Sequence, residues 1–122
     1  MKALVVDDSP VMRALIKRIL ELSGRELEHV AEAENGREAL EVIAKEAVDL
    51  VFCDINMPEM DGEQFLTALA AEGKVQRTCV IVVSTDGTNG RMDRMLNLGA
   101  RGYLTKPFTP EAIRTTLERV LN

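Results

Sequence analysis

The chain has 122 residues, an ordinary single domain's length, with 15 basic and 20 acidic side chains and a net charge of −5. That balance argues against a nucleic-acid binder, and no apolar run approaches the roughly 20 residues of a membrane span. The opening "MKALVVDD" has no signal core and no cleavage site, so the expected location is the cytoplasm.

The elements alternate in type along the chain. "ALVV" (3–6) reads as a strand. Ser9 as N-cap and Pro10 at the first helical position open a helix that stops near Gly24. Helical spacing puts Val11, Leu15, Ile16, Ile19 and Leu22 on its inward face. "LEHVAEA" (27–33) alternates like an edge strand. The stretch 35–46 supplies a turn and a helix with Ala39, Leu40, Ile43 and Ala44 inward.

"VDLVFCD" (48–54) is a near-continuous apolar strand, of the kind buried on both faces. A Pro- and Asp-Gly-punctuated loop (56–62) leads to a helix over about 63–72. "CVIVVS" (79–84) is the most apolar strand, and "TDGTNG" (85–90) reads as a loop. A short helix spans about 91–98 and ends at Gly99. "GYLT" (102–105) is the last strand. The last helix (109–121) turns Ala112, Ile113, Leu117, Val120 and Leu121 inward.

Cys53 and Cys79 lack metal-ligand spacing and are expected as reduced packing residues, about four positions apart along parallel neighbours. The only histidine, His29, is expected to be structural. Charge is uneven: residues 91–122 hold 6 basic and 3 acidic residues, against 9 and 17 in the rest. This points to an acidic patch near one end and a different partner surface near the other.

Strand and helix repeat five times, which implies an α/β fold: a doubly wound parallel sheet with helices on both faces. The ligand site of such a sheet lies beyond the carboxyl ends of its strands. Asp7 and Asp8 end the first strand, Asp54 the third and Ser84 the fourth, and Lys106 follows the fifth. Three carboxylates converging on one cleft need a cation, and Mg²⁺ is the hard, oxygen-seeking choice. A hydroxyl and an ammonium aimed at the same cleft suit phosphoryl oxygens. Together they make a phosphoryl-acceptor site whose product is an aspartyl phosphate. The competing reading is a metal-dependent phosphatase with an Asp nucleophile. It expects two aspartates one residue apart and a cap, whereas this pair is adjacent and no insertion is long enough for a cap.

"VVDDSP", "DINMPEMDG", "ST" and "GYLTKPFTP" resemble the motif blocks of response-regulator receiver domains, and the resemblance runs over residues 1–122. It implies a five-stranded flavodoxin-like (βα)5 fold of strand order 2-1-3-4-5. It makes Asp54 the phosphoacceptor, with Asp7, Asp8, Asp54 and the backbone carbonyl of Asn56 holding Mg²⁺. Ser84 becomes the hydroxyl that moves to hold the phosphoryl group, Lys106 its salt-bridge partner and Tyr103 the aromatic switch. Pro107 matches a proline that is usually cis. The implied phosphodonor is a sensor histidine kinase, and the domain catalyses only its own phosphorylation and dephosphorylation.

The output surface expected is the fourth helix, fifth strand and fifth helix, carrying Met92, Arg94, Arg101, Tyr103 and Arg114. On the fourth helix, Met92 and Leu96 share one face and Met95 and Leu98 another, so one pair should stay partly exposed. The expected state is a monomer acting without nucleic acid or membrane. Its target is a downstream protein, a flagellar switch or another relay protein. A stand-alone chemotaxis-type regulator is the first expectation; a phosphorelay intermediate or a receiver cut from a longer regulator is the alternative. Thr85 stands where the family most often has alanine, and Asp86 stands where dephosphorylation is often tuned. An acid there has two competing effects, orienting water and repelling the phosphoryl group. Gly87 and Gly90 make the loop before the fourth helix pliant.

Overall fold

The computed structural model describes residues 1–121. Strands β1 (Lys2–Val6), β2 (His29–Ala33), β3 (Leu50–Asp54), β4 (Cys79–Ser84) and β5 (Gly102–Thr105) alternate with helices. These are α1 (Pro10–Glu21), α2 (Gly36–Lys45), α3 (Gly62–Ala71), α4 (Asn89–Asn97) and α5 (Pro110–Leu121). The strands form one sheet of order β2-β1-β3-β4-β5, parallel at every pairing.

Residue alternation divides the core into two layers. Leu4, Val6, Val51, Cys53, Val80 and Val82 face α2, α3 and α4, where Phe65, Leu66, Leu69 and Met95 cover them. Ala3, Val5, Phe52, Ile81 and Leu104 face α1 and α5, where Ile16, Ile19, Leu20, Ile113 and Leu117 pack. Burial on both sides is why β3 and β4 are apolar throughout until Asp54 and Ser84. β2 lies at the edge; Val30 and Ala33 are buried, one in each core layer, and His29 and Glu32 are exposed, so the expected strict alternation is not seen.

Side-chain caps set where the helices begin. Ser9 Oγ accepts from the Met12 N–H at 3.2 Å, and Asn35 Oδ1 from the Glu38 N–H at 2.9 Å. Asp61 and Gln64 form a reciprocal capping box on α3. The Lys106–Pro107 bond is cis, as the resemblance implied.

The structure corrects several expectations. On α1, Val11 is 79% exposed and Leu15 47%, and Leu22 at its C-cap is 63% exposed, while Leu20 is buried. The buried arc is rotated by about 80°, at roughly 100° per residue, toward Leu20. Apolar residues surround most of this helix, so periodicity alone admitted two stripes, and the docking of α1 on the sheet chose between them. Ala44 on α2 is exposed. Helix α4 starts at Asn89, because Thr88 accepts from the Arg91 N–H and caps it; the preceding loop is therefore shorter than 85–90. Thr116 lies buried on α5, its hydroxyl donating to the Ala112 carbonyl at 2.9 Å.

Cys79 is in register with Leu50, and Cys53 with Val82. The cysteines are thus three positions apart along the strands, about 10 Å at about 3.3 Å per residue, and face opposite layers. Both are free and buried.

Candidate functional site

Strand order reverses at β1, which has β2 on one side and β3 on the other. The crevice beyond the carboxyl ends of β1 and β3 is where such folds take ligands. β1 runs directly into Asp7 and Asp8, and β3 ends on Asp54. Their positions follow from the parallel register, in which Val6 lies opposite Cys53. One carboxylate oxygen from each of Asp7, Asp8 and Asp54 can be chosen so that all three lie within 4.8 Å of one another. Asp7 and Asp54 are buried and Asp8 is exposed, so the cluster opens to solvent on the Asp8 side.

Lys106 ties the buried pair together. Its Nζ lies 3.2 Å from Asp54 Oδ1 and 3.4 Å from Asp7 Oδ2. Each carboxylate also accepts a backbone N–H: Asp54 Oδ1 from Ile55 at 2.9 Å, and Asp7 Oδ1 from Ser9 at 2.9 Å. Burial, reinforced by the neighbouring charge of Asp7, pushes the Asp54 carboxyl above the usual carboxylate range, and Lys106 pulls it back. One ammonium facing a cluster of three carboxylates leaves negative charge uncompensated. That donor set, all hard oxygens with an open side, fits a small divalent cation such as Mg²⁺.

The other expected residues take distinct places. Asn56 is exposed in the loop after β3. Ser84 is buried at the end of β4, where its Oγ accepts from the Asp86 N–H at 3.0 Å. The hydroxyl is thereby engaged with its own loop. Tyr103 is buried on β5, and its hydroxyl donates to the Asp86 carbonyl. Asp86 Oδ1 in turn accepts from the Thr88 N–H at 3.0 Å, which holds the Asp86 carboxyl below its usual range. Ser84 and Tyr103 therefore meet at the backbone of one residue, Asp86.

On the expected output surface, Met92 is half-buried and Leu96 exposed, while Met95 is buried. The partly exposed pair is Met92 with Leu96. Arg94 reaches Glu63 on α3 at 2.6 Å, and Arg91 approaches the same carboxylate at 3.6 Å. Arg101 donates to the Gln76 carbonyl at 2.7 Å, near the amino end of β5. Arg114 is exposed on α5.

Two residues that sequence reading passed over shape the site. Arg13, one turn into α1, donates to the Asp7 carbonyl at 2.6 Å and pairs with Glu32 on β2 at 3.0 Å. Gly62, read only as turn punctuation, packs its backbone against Asp54. The Asp-Gly dipeptide was the available signal for Gly62. For Arg13 there was none, since its partner on β2 is 19 residues away.

Comparison with known proteins assigns the class. Residues 3–118 match the response regulator receiver domain, and the chain belongs to that family. It is a CheY-like two-component response regulator along nearly its whole length. A chemotaxis protein CheY homolog of Campylobacter jejuni is 41% identical over 122 residues, covering 99% of this chain and 92% of the relative. The structure of Vibrio cholerae chemotaxis protein CheY4 superposes with a TM-score of 0.85 at 35% identity, covering 98% of this chain and 97% of that one. A CheX–CheY–BeF₃–Mg²⁺ complex from Borrelia burgdorferi gives a TM-score of 0.89 at 25% identity, covering 100% and 90%. Among the described residues, no helix is long and apolar enough to cross a membrane.

Proposed function

We propose that Asp54 is the residue phosphorylated in this regulator, that Mg²⁺ binds beside it, and that a sensor histidine kinase is the donor. The observation that carries this reading is the bridge of Lys106 to both Asp54 and Asp7 within the three-carboxylate cluster. Asp7, Asp8, Asp54 and the Asn56 carbonyl would hold the metal. When bound, Mg²⁺ would supply positive charge to the phosphoryl oxygens.

The carboxylate of Asp54 attacks the phosphorus of a phosphohistidine. A new O–P bond forms as the N–P bond breaks, and the departing imidazole takes up a proton. Lys106 Nζ already lies 3.2 Å from Asp54 Oδ1 and is placed to follow the charge onto a phosphoryl oxygen. Ser84 must give up the Asp86 N–H to reach that group. Such a move loosens the loop that Tyr103 also holds through the Asp86 carbonyl. The site thereby couples to α4 and β5, and the partner is a protein that prefers the rearranged loop.

The target-binding surface is α4, β5 and α5. The partly exposed Met92–Leu96 pair near Arg94, with Arg114 on α5, suits a short acidic amphipathic segment. The Borrelia CheY structure carries BeF₃, Mg²⁺ and CheX; the first two would sit at Asp54 here. A stand-alone chemotaxis-type role fits the high coverage of CheY relatives. Incubation with acetyl phosphate and Mg²⁺ followed by intact-mass measurement should add one phosphoryl group. Asp54→Asn should add none; a variant still labelled in full would reassign the acceptor.

A further inference from the structure

The loop between β3 and α3 is held in a shape that its sequence does not favour. Glu59 has φ +63°, the only non-glycine residue at positive φ among the described residues. Across it, the Met60 N–H donates to the Pro58 carbonyl at 2.7 Å. Such a bond around a residue at positive φ is the rare, strained form of the γ-turn. Glycine occupies such a backbone without steric cost, and glutamate does not.

The glutamate side chain is anchored at two points. Its Oε2 accepts from Asn35 Nδ2 at 3.0 Å and from Arg37 Nη2 at 3.1 Å. These two contacts are unequal. The Arg37 and Glu59 side chains are 59% and 56% exposed, so that ion pair is screened and weak. Asn35 is buried, and its Oδ1 is already committed to the Glu38 N–H at the start of α2. Its amide is thus fixed by the helix and presents a donor to Glu59. The backbones close the joint: the Gly36 N–H donates to the Met60 carbonyl at 2.9 Å. A Cβ on Gly36 would stand only 2.8 Å from Met60 Cγ.

The same loop carries Asn56 three residues before Glu59, and its base is closed by the Gly62 N–H on the Ile55 carbonyl at 2.8 Å. With the base closed, the far end decides where the Asn56 carbonyl is held. We infer that Glu59 is a positioning residue for metal binding. Pinned by Asn35, it keeps the loop in its left-handed turn and so presents the Asn56 carbonyl to the cation that Asp7, Asp8 and Asp54 hold. This rests on the metal site proposed above and adds a residue outside that site.

The test is a Mg²⁺ titration of unphosphorylated protein, followed by the amide chemical shifts of Ile55, Asn56 and Gly62. Glu59→Ala removes the acceptor and keeps the strained backbone, and should weaken Mg²⁺ binding about fivefold or more. Asn35→Asp keeps the oxygen that caps α2 but sets a carboxylate against Glu59, and should weaken binding similarly. The double variant Asn35→Asp with Glu59→Gln exchanges donor and acceptor at unchanged net charge, and should return to within about twofold of wild type. Glu59→Gly, which lacks the acceptor but relieves the backbone, should lose less than Glu59→Ala. Thermal unfolding of each variant in metal-free buffer checks that the domain is folded. Single variants that bind Mg²⁺ like wild type would overturn the inference. So would an exchanged pair no better than either single change. If wild type itself shows no Mg²⁺ shift, the metal site fails; if wild type binds and the variants match it, only the role of Glu59 fails.

Discussion

Gly62 lies so close behind Asp54 that a Cβ built on it would stand 2.3 Å from the Asp54 carbonyl oxygen and 2.9 Å from Ile55 Cα. The obstacles are backbone atoms of the strand end that carries the candidate phosphoacceptor, and backbone cannot step aside as a flexible side chain does. Gly62→Ala should therefore cost toward the upper end of the about 1–3 kcal/mol typical of overpacking, read as a lower urea midpoint. It should also slow acetyl phosphate labelling by displacing Asp54. A variant with wild-type midpoint and labelling rate would mean that the strand end tolerates the shift.

The Asp54 carboxyl titrates above its usual range because it is buried and faces Asp7. A carboxyl raised on folding binds its proton more tightly in the folded state, so stability falls as pH rises through the folded pKa. In metal-free buffer, Asp54→Asn should be more stable than wild type at about pH 7. The gap should narrow toward about pH 4, where the unfolded carboxyl also protonates. Mg²⁺ at ten times its Kd should stabilise wild type by about 1.4 kcal/mol by mass action, and Asp54→Asn by much less. Unfolding curves with and without the metal decide this, and equal Mg²⁺ stabilisation of both proteins would remove Asp54 from the ligand set.

Leu20 lies on α1 and Leu22 just past its end, the first buried and the second 63% exposed. Leu20→Ala should cost about 2–5 kcal/mol, as cavity formation in a packed core does. Leu22→Ala should stay within about 0.5 kcal/mol of wild type. Paired urea titrations measure both, and similar losses would restore the stripe through Leu22 that periodicity suggested.

On α4, Met92 is half-buried and Arg94 is exposed, with Arg94 held by Glu63. Met92→Ala with Arg94→Ala should weaken binding of an acidic partner in the beryllofluoride-activated state. The rate of Asp54 labelling by a small donor should stay within about twofold, since neither side chain belongs to the site network. Normal partner binding by the activated double variant would move the output surface elsewhere, most directly to the exposed Val11 and Leu15 of α1 and Leu22 at its end.

The fold class was legible because its signals are local. Alternating β and α segments, the Ser9–Pro10 start and the uncharged run into Asp54 each lie within a few residues of one another. The site was legible for a related reason: in a parallel sheet every strand's carboxyl end faces the same way, so polar residues closing apolar strands are brought to one edge. Asp7, Asp8, Asp54 and Lys106 follow from that rule. What the chain alone left open were choices between nearly equal local options, and these were settled by distant partners. Helix α1 carries two apolar stripes, and docking on the sheet buries the one through Leu20. Ser84 has a hydroxyl that suits a phosphoryl group, but the fold of the following loop gives it the Asp86 N–H. Glu59 is a poor residue for positive φ, yet it adopts that conformation with its carboxylate accepting from Asn35, 24 positions away. Local sequence determines which elements form and which ends carry charge. Only packing between distant segments decides which face is buried and which hydrogen bond is made, because those energies arise from groups that the sequence does not place side by side.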